Sequence, residues 1–151
     1  MVYDFEVIDD KKGSLDYLKE NDFRLRDKVL LTALPKVPFK RYASSSDVIN
    51  NVSFISYTND LVRIEVNTAE DGILVMSDVL MPGWSVFIDG VRNDILSANY
   101  TFRGVFIPAG DHFVTFRYKP FSIKIGLILT FAGLFIAVLF ILLGRRKKRL
   151  E

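Results

Sequence analysis

A run of twenty residues without a charge, Ile125 to Gly144, is followed at once by five basic residues, Arg145, Arg146, Lys147, Lys148 and Arg149. As a helix with about 1.5 Å rise per residue, such a run spans roughly 30 Å, the thickness of the hydrocarbon core of a bilayer. Lys and Arg beside a membrane span are retained on the cytoplasmic side. We therefore expect a transmembrane helix at 121–144, a cytoplasmic tail at 145–151, and an outward-facing domain at 1–120.

The first twelve residues are not expected to act as an export signal. Met1 to Lys12 contains no basic start, no apolar core and no small-residue cleavage site. We therefore expect the sequence to be the last part of a larger multi-span protein, or the product of a split gene. The alternative is a tail anchor with a cytoplasmic domain, which would place five cations on the far side of the membrane, against the positive-inside rule.

Charge and composition exclude several classes of function. Residues 1–120 carry 14 basic and 17 acidic residues, a net charge of −3, so nucleic-acid binding is not expected. The chain has no cysteine, which excludes disulfides and thiolate metal sites. The one histidine, His112, lies beside Asp111 and is expected to be structural, because a single imidazole makes neither a zinc site nor a Ser-His-Asp triad. We predict no metal and no cofactor.

From Val52 onward the sequence has the pattern of β-strands. Apolar and polar residues alternate through Leu61 to Asn67, as expected for a strand with one buried face. Ile73 to Val79 is apolar on both faces apart from Ser77 and Asp78, and it is predicted to be an interior strand of a sandwich. Further strands are predicted at Val52 to Tyr57, Trp84 to Ile88, Val105 to Ile107 and Phe113 to Tyr118.

Turn signals separate these strands. Asp89-Gly90 suits the positive φ angles of a type I′ turn, and Pro108-Ala109-Gly110-Asp111 divides the last two strands, so we predict a hairpin at each. Six or seven strands with regular turn signals predict an antiparallel β-sandwich, Ig-like or jelly-roll-like, followed by one transmembrane α-helix.

A short α/β segment is predicted before the sandwich. Ser14 is expected to cap a turn of helix that carries Leu15 and Leu18 on one side. Lys28 to Thr32 is a short apolar strand candidate, and Tyr42 to Asp47 has the composition of a loop.

Aromatic residues supply the candidate binding chemistry. An exposed ring beside Asp, Asn or Arg is a common way to hold a sugar, although core filling also explains aromatic residues. Eight of them lie within 35 residues: Trp84, Phe87, Tyr100, Phe102, Phe106, Phe113, Phe116 and Tyr118. We predict Trp84 and Arg103 as ligand contacts. For Arg103 the alternative, a structural ion pair with Asp78 or Asp89, is the favoured interpretation.

Four carboxylates fall at or near strand ends and are expected to stabilise turns: Asp78, Asp89, Asp94 and Asp111. No catalytic residue is predicted, because the sequence has no paired-carboxylate spacing, no Gly-rich phosphate loop and no nucleophile elbow.

Several short motifs follow one another along the second half of the chain: Asp78-Val79-Leu80-Met81-Pro82-Gly83-Trp84, Ile88-Asp89-Gly90, Asn99, Phe102-Arg103-Gly104-Val105, Pro108-Ala109-Gly110, His112 and Phe116-Arg117-Tyr118-Lys119-Pro120. In this order and spacing the sequence resembles the C-terminal part of the bacterial YfhO family. The likeness is clearest from about residue 60 to the anchor. It departs from the family pattern at Leu80 and Met81, where the family often has aromatic residues.

The resemblance implies a place in a larger enzyme system. Members of the family are large polytopic proteins, regarded as glycosyltransferase-like enzymes of the GT-C type that use lipid-linked sugars in glycosylating cell-envelope polymers. Their outer β-domain precedes a final span. Their acidic catalytic residues are expected in loops of the multi-span core, outside the family segment that residues 1–151 resemble. The resemblance therefore implies a non-catalytic accessory or terminal domain.

The partners that follow are the lipid bilayer, a multi-span membrane protein and cell-envelope glycan. The alternative is a purely structural or assembly module that binds no ligand. Its helix would pack against partner spans through Gly126 and Gly133, which are too far apart for a GxxxG face.

Overall fold

The computed structural model describes residues 1–20, 27–34 and 50–147, with the side chains of Lys11, Glu20 and 141–147 excepted. The chain divides into two compact units, Met1–Lys119 and Pro120–Glu151. The elements in chain order are β1 (Asp4–Val7), α1 (Lys11–Glu20), β2 (Lys28–Leu31), β3 (Asn50–Tyr57), β4 (Leu61–Thr68), β5 (Gly72–Val79), β6 (Trp84–Ile88), β7 (Val91–Asn93), β8 (Leu96–Ala98), β9 (Phe102–Ile107), β10 (Gly110–Tyr118) and α2 (Phe121–Lys147).

The strands form two five-stranded sheets. Sheet A has the order β1-β2-β8-β9-β5 and sheet B the order β3-β4-β10-β6-β7. The pairs within these sheets are antiparallel except for β1 with β2, which is parallel. The predicted β-sandwich followed by one apolar C-terminal helix is confirmed.

The main core lies between the two sheets. In β4 the side chains of Val62, Ile64 and Val66 are buried while Arg63 and Glu65 are exposed, as the alternation predicted. The neighbouring strand β10 places Val114 opposite Ile64 and Phe116 opposite Val62. The whole cluster consists of Val62, Ile64, Val66, Leu74, Met76, Val86, Ile88, Val105, Ile107, Val114 and Phe116. Burial of these apolar side chains is the main stabilising contribution to the sandwich.

Sheet A also encloses a second core on its other face. Val2 and Ile73 exchange backbone hydrogen bonds of 2.9 and 2.8 Å, which joins the start of the chain to the far edge of the sheet. The residues enclosed are Val2, Phe5, Val29, Leu31, Ile73, Leu96 and Ala98. The two cores explain why Ile73 and Val75 are apolar as well as Leu74 and Met76, although β5 is the last strand of its sheet and not an interior one.

The connection at Pro108–Asp111 corrects one prediction. It does not form a hairpin, because β9 belongs to sheet A and β10 to sheet B. The Asp71 carboxylate accepts a 2.9 Å hydrogen bond from the Ala109 N–H, which ties the crossing point to the start of β5. Turn residues in a sequence show that the chain changes direction, but not which sheet the next strand joins. The Asp89-Gly90 hairpin is confirmed, with φ angles of 49° and 82° and Ile88 paired with Val91.

The N-terminal helix also begins earlier than predicted. Asp10 is its cap, since its carboxylate accepts hydrogen bonds from the backbone N–H of Lys12 (3.2 Å) and Gly13 (2.9 Å). Ser14 lies inside α1, and its hydroxyl donates to the Asp10 carbonyl at 2.8 Å, so the predicted Ser14 cap is wrong. The predicted strand at Lys28 to Thr32 is confirmed as β2, whereas the predicted loop at Tyr42 to Asp47 lies outside the described residues.

The second unit is the helix α2. It extends through 27 residues, and its segment Phe121–Phe140 is long and apolar enough to cross a membrane. Among the residues with described side chains it is the one helix with this property. The helix continues into the basic cluster as far as Lys147, while Lys148 and Arg149 lie outside the described residues.

Candidate functional site

One end of the sandwich carries a group of aromatic and charged side chains that we call the Arg103 cluster: Tyr57, Asp78, Trp84, Arg103 and Tyr118. Its members come from β3, β5, β6, β9 and β10, so both sheets contribute. Trp84 and Tyr118 are paired neighbours in sheet B, with ring centroids 5.1 Å apart.

Arg103 lies at the centre of this cluster and is buried. Its side chain is 2% exposed, and its Nη2 donates to Asp78 Oδ2 at 2.5 Å. Its Cζ atom lies 3.9 Å from the ring centroid of Trp84 and 5.3 Å from that of Phe116. Its Nε and Nη1 atoms have no partner among the described residues. The guanidinium is therefore held by one carboxylate and by cation–π contact with two rings.

An irregularity in β5 brings Asp78 to Arg103. The pairing of β5 with β9 is regular from Gly72 to Met76 and shifts before Val79. Such a bulge turns the intervening side chains away from their regular direction. Asp78 thereby accepts hydrogen bonds both from Arg103 and from the Tyr57 hydroxyl, which lies 2.9 Å from each carboxylate oxygen.

A groove of about 240 Å³ adjoins the cluster, between β3 and β5. Two exposed aromatic side chains stand in it, Phe54 (60% exposed) and Tyr57 (59% exposed), with ring centroids 5.8 Å apart in an edge-to-face arrangement. The residues that line it are Met1, Val52, Phe54, Tyr57, Ile64, Leu74, Val75, Met76, Ser77 and Asp78. The groove thus has an apolar floor, an aromatic wall and one carboxylate.

A second bulge accounts for the aromatic wall. The pairing of β3 with β4 shifts between Phe54 and Ser56, so that Phe54 is opposite Ile64 and Tyr57 is opposite Val62. Residues three apart in a regular strand point to opposite faces, whereas the extra residue Ile55 puts both rings on the same face. The sequence analysis missed this pair, because the strand pattern predicted a regular period of two.

At the polar end of the groove, the Tyr57 hydroxyl is hydrogen-bonded to the Asp78 carboxylate. The pKa of Tyr57 is raised above its ordinary value, chiefly because its hydroxyl donates to Asp78, with burial and the Asp78 charge as further causes. The Tyr57 hydroxyl thus donates to the Asp78 carboxylate, whose Oδ2 also accepts from Arg103.

The two residues predicted as ligand contacts lie together but differ in exposure. Trp84 is half-buried, whereas Arg103 faces Trp84 and Asp78 and not the solvent. The ion pair proposed for Arg103 as the alternative is present, and its partner is Asp78 and not Asp89. In this structure Arg103 positions the ring of Trp84 and the carboxylate of Asp78.

Asp89 belongs to a separate cluster at the other end of β6. Its Oδ2 lies 2.6 Å from His112 Nδ1, and its Oδ1 accepts a 2.8 Å hydrogen bond from the Phe113 N–H. These two hydrogen bonds, that of His112 first, hold the pKa of Asp89 below its ordinary value. Asp78 and Asp89 therefore do not converge as an acid pair. Within the described parts of the chain, no three His, Asp or Glu side chains are grouped to hold a metal ion.

Comparison with known proteins gives one match. The model of the family described as bacterial membrane protein YfhO matches residues 9–130, which include the Arg103 cluster, the groove strands β3 and β5, and the start of α2. No curated protein and no solved structure shows significant similarity to the chain.

Proposed function

The chain belongs to the YfhO family of bacterial membrane proteins, and from that premise we propose that it is a non-catalytic, membrane-anchored domain outside the cytoplasmic membrane. It is the terminal or accessory part of a YfhO-like membrane glycosyltransferase, and it contacts glycan during cell-envelope glycan assembly. The outward orientation is supported by the basic residues that follow the apolar run, because such residues are retained in the cytoplasm.

The observation that carries the glycan contact is the groove between β3 and β5. Sugar rings have apolar faces that stack on aromatic side chains and hydroxyl groups that hydrogen-bond to carboxylates. The groove offers both, since the exposed rings of Phe54 and Tyr57 stand beside the carboxylate of Asp78. Its volume of about 240 Å³ is below the roughly 300–1,000 Å³ of most small-molecule pockets, which favours a small terminal group over a long glycan.

The Arg103 cluster gives this groove a fixed geometry. Asp78 accepts hydrogen bonds from both Arg103 and the Tyr57 hydroxyl, so its carboxylate has little freedom to turn. Preorganised polar groups lose less conformational entropy when a ligand binds. In this proposal Tyr57, Phe54 and Asp78 contact the sugar, and Arg103, which packs against the ring of Trp84, is a positioning residue.

Binding of neutral hexose and N-acetylhexosamine oligosaccharides to the full chain in lipid nanodiscs tests the proposal. We expect Phe54→Ala to weaken binding about tenfold, equivalent to loss of one stacking contact of about 1.4 kcal/mol. Phe113→Ala is the matched control, because Phe113 is similarly exposed (56%) but lies on β10 outside the groove. Calorimetry that finds no binding by the unmodified chain, or equal losses in the two variants, would refute the glycan contact.

A second candidate function, assembly through the membrane helix, is favoured by a pattern in α2. The small residues Gly126, Thr130, Gly133 and Ala137 recur at intervals of four, three and four, which places them on one helix face. Small residues allow close helix packing in membranes, and a Cβ atom added at Gly126 or Gly133 would meet nothing within 4 Å. A stable cross-linked partner that is lost on Gly133→Leu, with no glycan binding, would support this function instead.

A further inference from the structure

The β5–β6 loop, Leu80–Gly83, presents apolar side chains to solvent at the same end of the sandwich as the Arg103 cluster. Met81 is 50% exposed and Val79, just before the loop, is 55% exposed. The sequence has no charged residue between Asp78 and Asp89. Exposed apolar loops that lack charge commonly mark a surface that contacts a partner or a membrane.

This loop is attached to the strand that leads into the membrane anchor. The backbone N–H of Lys119 donates to the Gly83 carbonyl at 2.8 Å, and Tyr118 is paired with Trp84. A single residue, Pro120, separates Lys119 from the first residue of α2. Two Cα–Cα steps span at most about 7.6 Å, so covalent connection alone keeps Lys119 close to the start of the apolar segment.

We propose that the β5–β6 loop inserts Met81 and Val79 into the interfacial region of the leaflet on the side of the β-domain. The occupant of this surface is lipid, because the loop is hydrogen-bonded to Lys119, which lies two residues before the apolar helix α2. In that position Trp84 and Tyr118, which are half-buried in the domain, would lie in the interfacial layer where Trp and Tyr are enriched.

The charges at this end are compatible with that position. Lys119 and Lys124 lie on either side of Pro120, and their long side chains can reach lipid phosphates. The Asp78 carboxylate is paired with Arg103 and Tyr57. Among the described residues, Asp60 is a further acidic residue near Tyr118; it lies in an exposed polar loop, and its backbone oxygen accepts from the Tyr118 N–H at 2.8 Å. This inference rests on the anchor and does not depend on the glycan contact.

A fluorophore at position 81 tests the insertion. The chain has no cysteine, so Met81→Cys in the full chain can be labelled with an environment-sensitive dye and reconstituted in phosphatidylcholine–phosphatidylglycerol vesicles. The matched control is Val91→Cys, since Val91 is also apolar and exposed (67%) but follows the opposite end of β6. We expect the dye at position 81 to be quenched by nitroxides on the lipid acyl chains and protected from aqueous iodide at least fivefold relative to the dye at position 91.

Two results would overturn the inference. Equal quenching of both dyes by iodide would show that the loop lies in water. Protection from iodide without quenching by lipid nitroxides would show that a protein surface covers the loop. The unlabelled chain gives a second measurement, because Trp84 is its one tryptophan and its emission should be quenched by brominated lipids.

Discussion

Replacing Asp78 with asparagine is expected to lower the free energy of unfolding of the β-domain by about 3 kcal/mol, because a buried guanidinium then has no anionic partner. The Arg103 side chain is 2% exposed and Asp78 is 33% exposed, so the cost lies at the low end for a broken buried pair. The two further Arg103 nitrogen atoms without a described partner cannot compensate for the loss.

Variants of Arg103 and Asp78, alone and together, show how much of the unfolding free energy depends on the ion pair and how much on each side chain. Arg103→Met is expected to cost less than Asp78→Asn, because the carboxylate left behind can be solvated at its exposed edge. The double variant should be more stable than Asp78→Asn alone. Denaturant unfolding of the full chain, followed by Trp84 fluorescence, measures all three, and Asp9→Asn is an exposed control. The account fails if Asp78→Asn costs no more than Asp9→Asn.

Phe116→Ala is expected to destabilise the domain by about 3–5 kcal/mol, the usual cost of removing a fully buried aromatic side chain from a core. Phe116 is 0% exposed, packs between the two sheets and lies beneath the Arg103 guanidinium. Its loss therefore opens a cavity in the main core and removes one of the two rings that hold Arg103.

Phe113 provides the control on the same strand. It is three residues earlier on β10, is 56% exposed, and its replacement by alanine should change the stability by about 0.5 kcal/mol or less. The same unfolding measurement compares the two variants. Similar costs for Phe113→Ala and Phe116→Ala would contradict the register in which Phe116 faces Val62 and the core.

The strands themselves followed from local patterns in the sequence. In β4 every second residue is apolar, and the structure buries those residues. Successive side chains of a strand point to opposite faces, so a strand with one buried face shows this alternation in its own sequence. The Asp89-Gly90 turn was predictable for a similar reason, since few residue pairs tolerate positive φ at both positions.

Pairings between distant segments did not follow from the sequence. The residues at Pro108 predict a hairpin because they indicate only that the chain turns there. The strands that pair with β10 are β4 and β6, which lie earlier in the chain, and the turn carries no information about them. Asp10 was missed as the cap of α1 because Lys11 and Lys12, which follow it, do not begin an apolar pattern.

The candidate site was predictable in part. Trp84 and Arg103 were selected from aromatic density and neighbouring polar residues, and they are in contact. The sequence could not show that Asp78 reaches Arg103, nor that Phe54 and Tyr57 share one face, because both depend on bulges whose register is set by the partner strand. The polar pair Ser77-Asp78 in an otherwise apolar segment was the signal of the first bulge.

The central claim is that the β-domain lies outside the cytoplasmic membrane and the basic tail inside. Single cysteines at Val91, in the β-domain, and at Glu151, in the tail, can each be introduced into a chain that has no cysteine of its own. A membrane-impermeant maleimide is then applied to wall-free intact cells. We expect labelling of Val91→Cys in intact cells and of Glu151→Cys only after permeabilisation. Labelling of Glu151→Cys alone in intact cells would show that the β-domain is cytoplasmic.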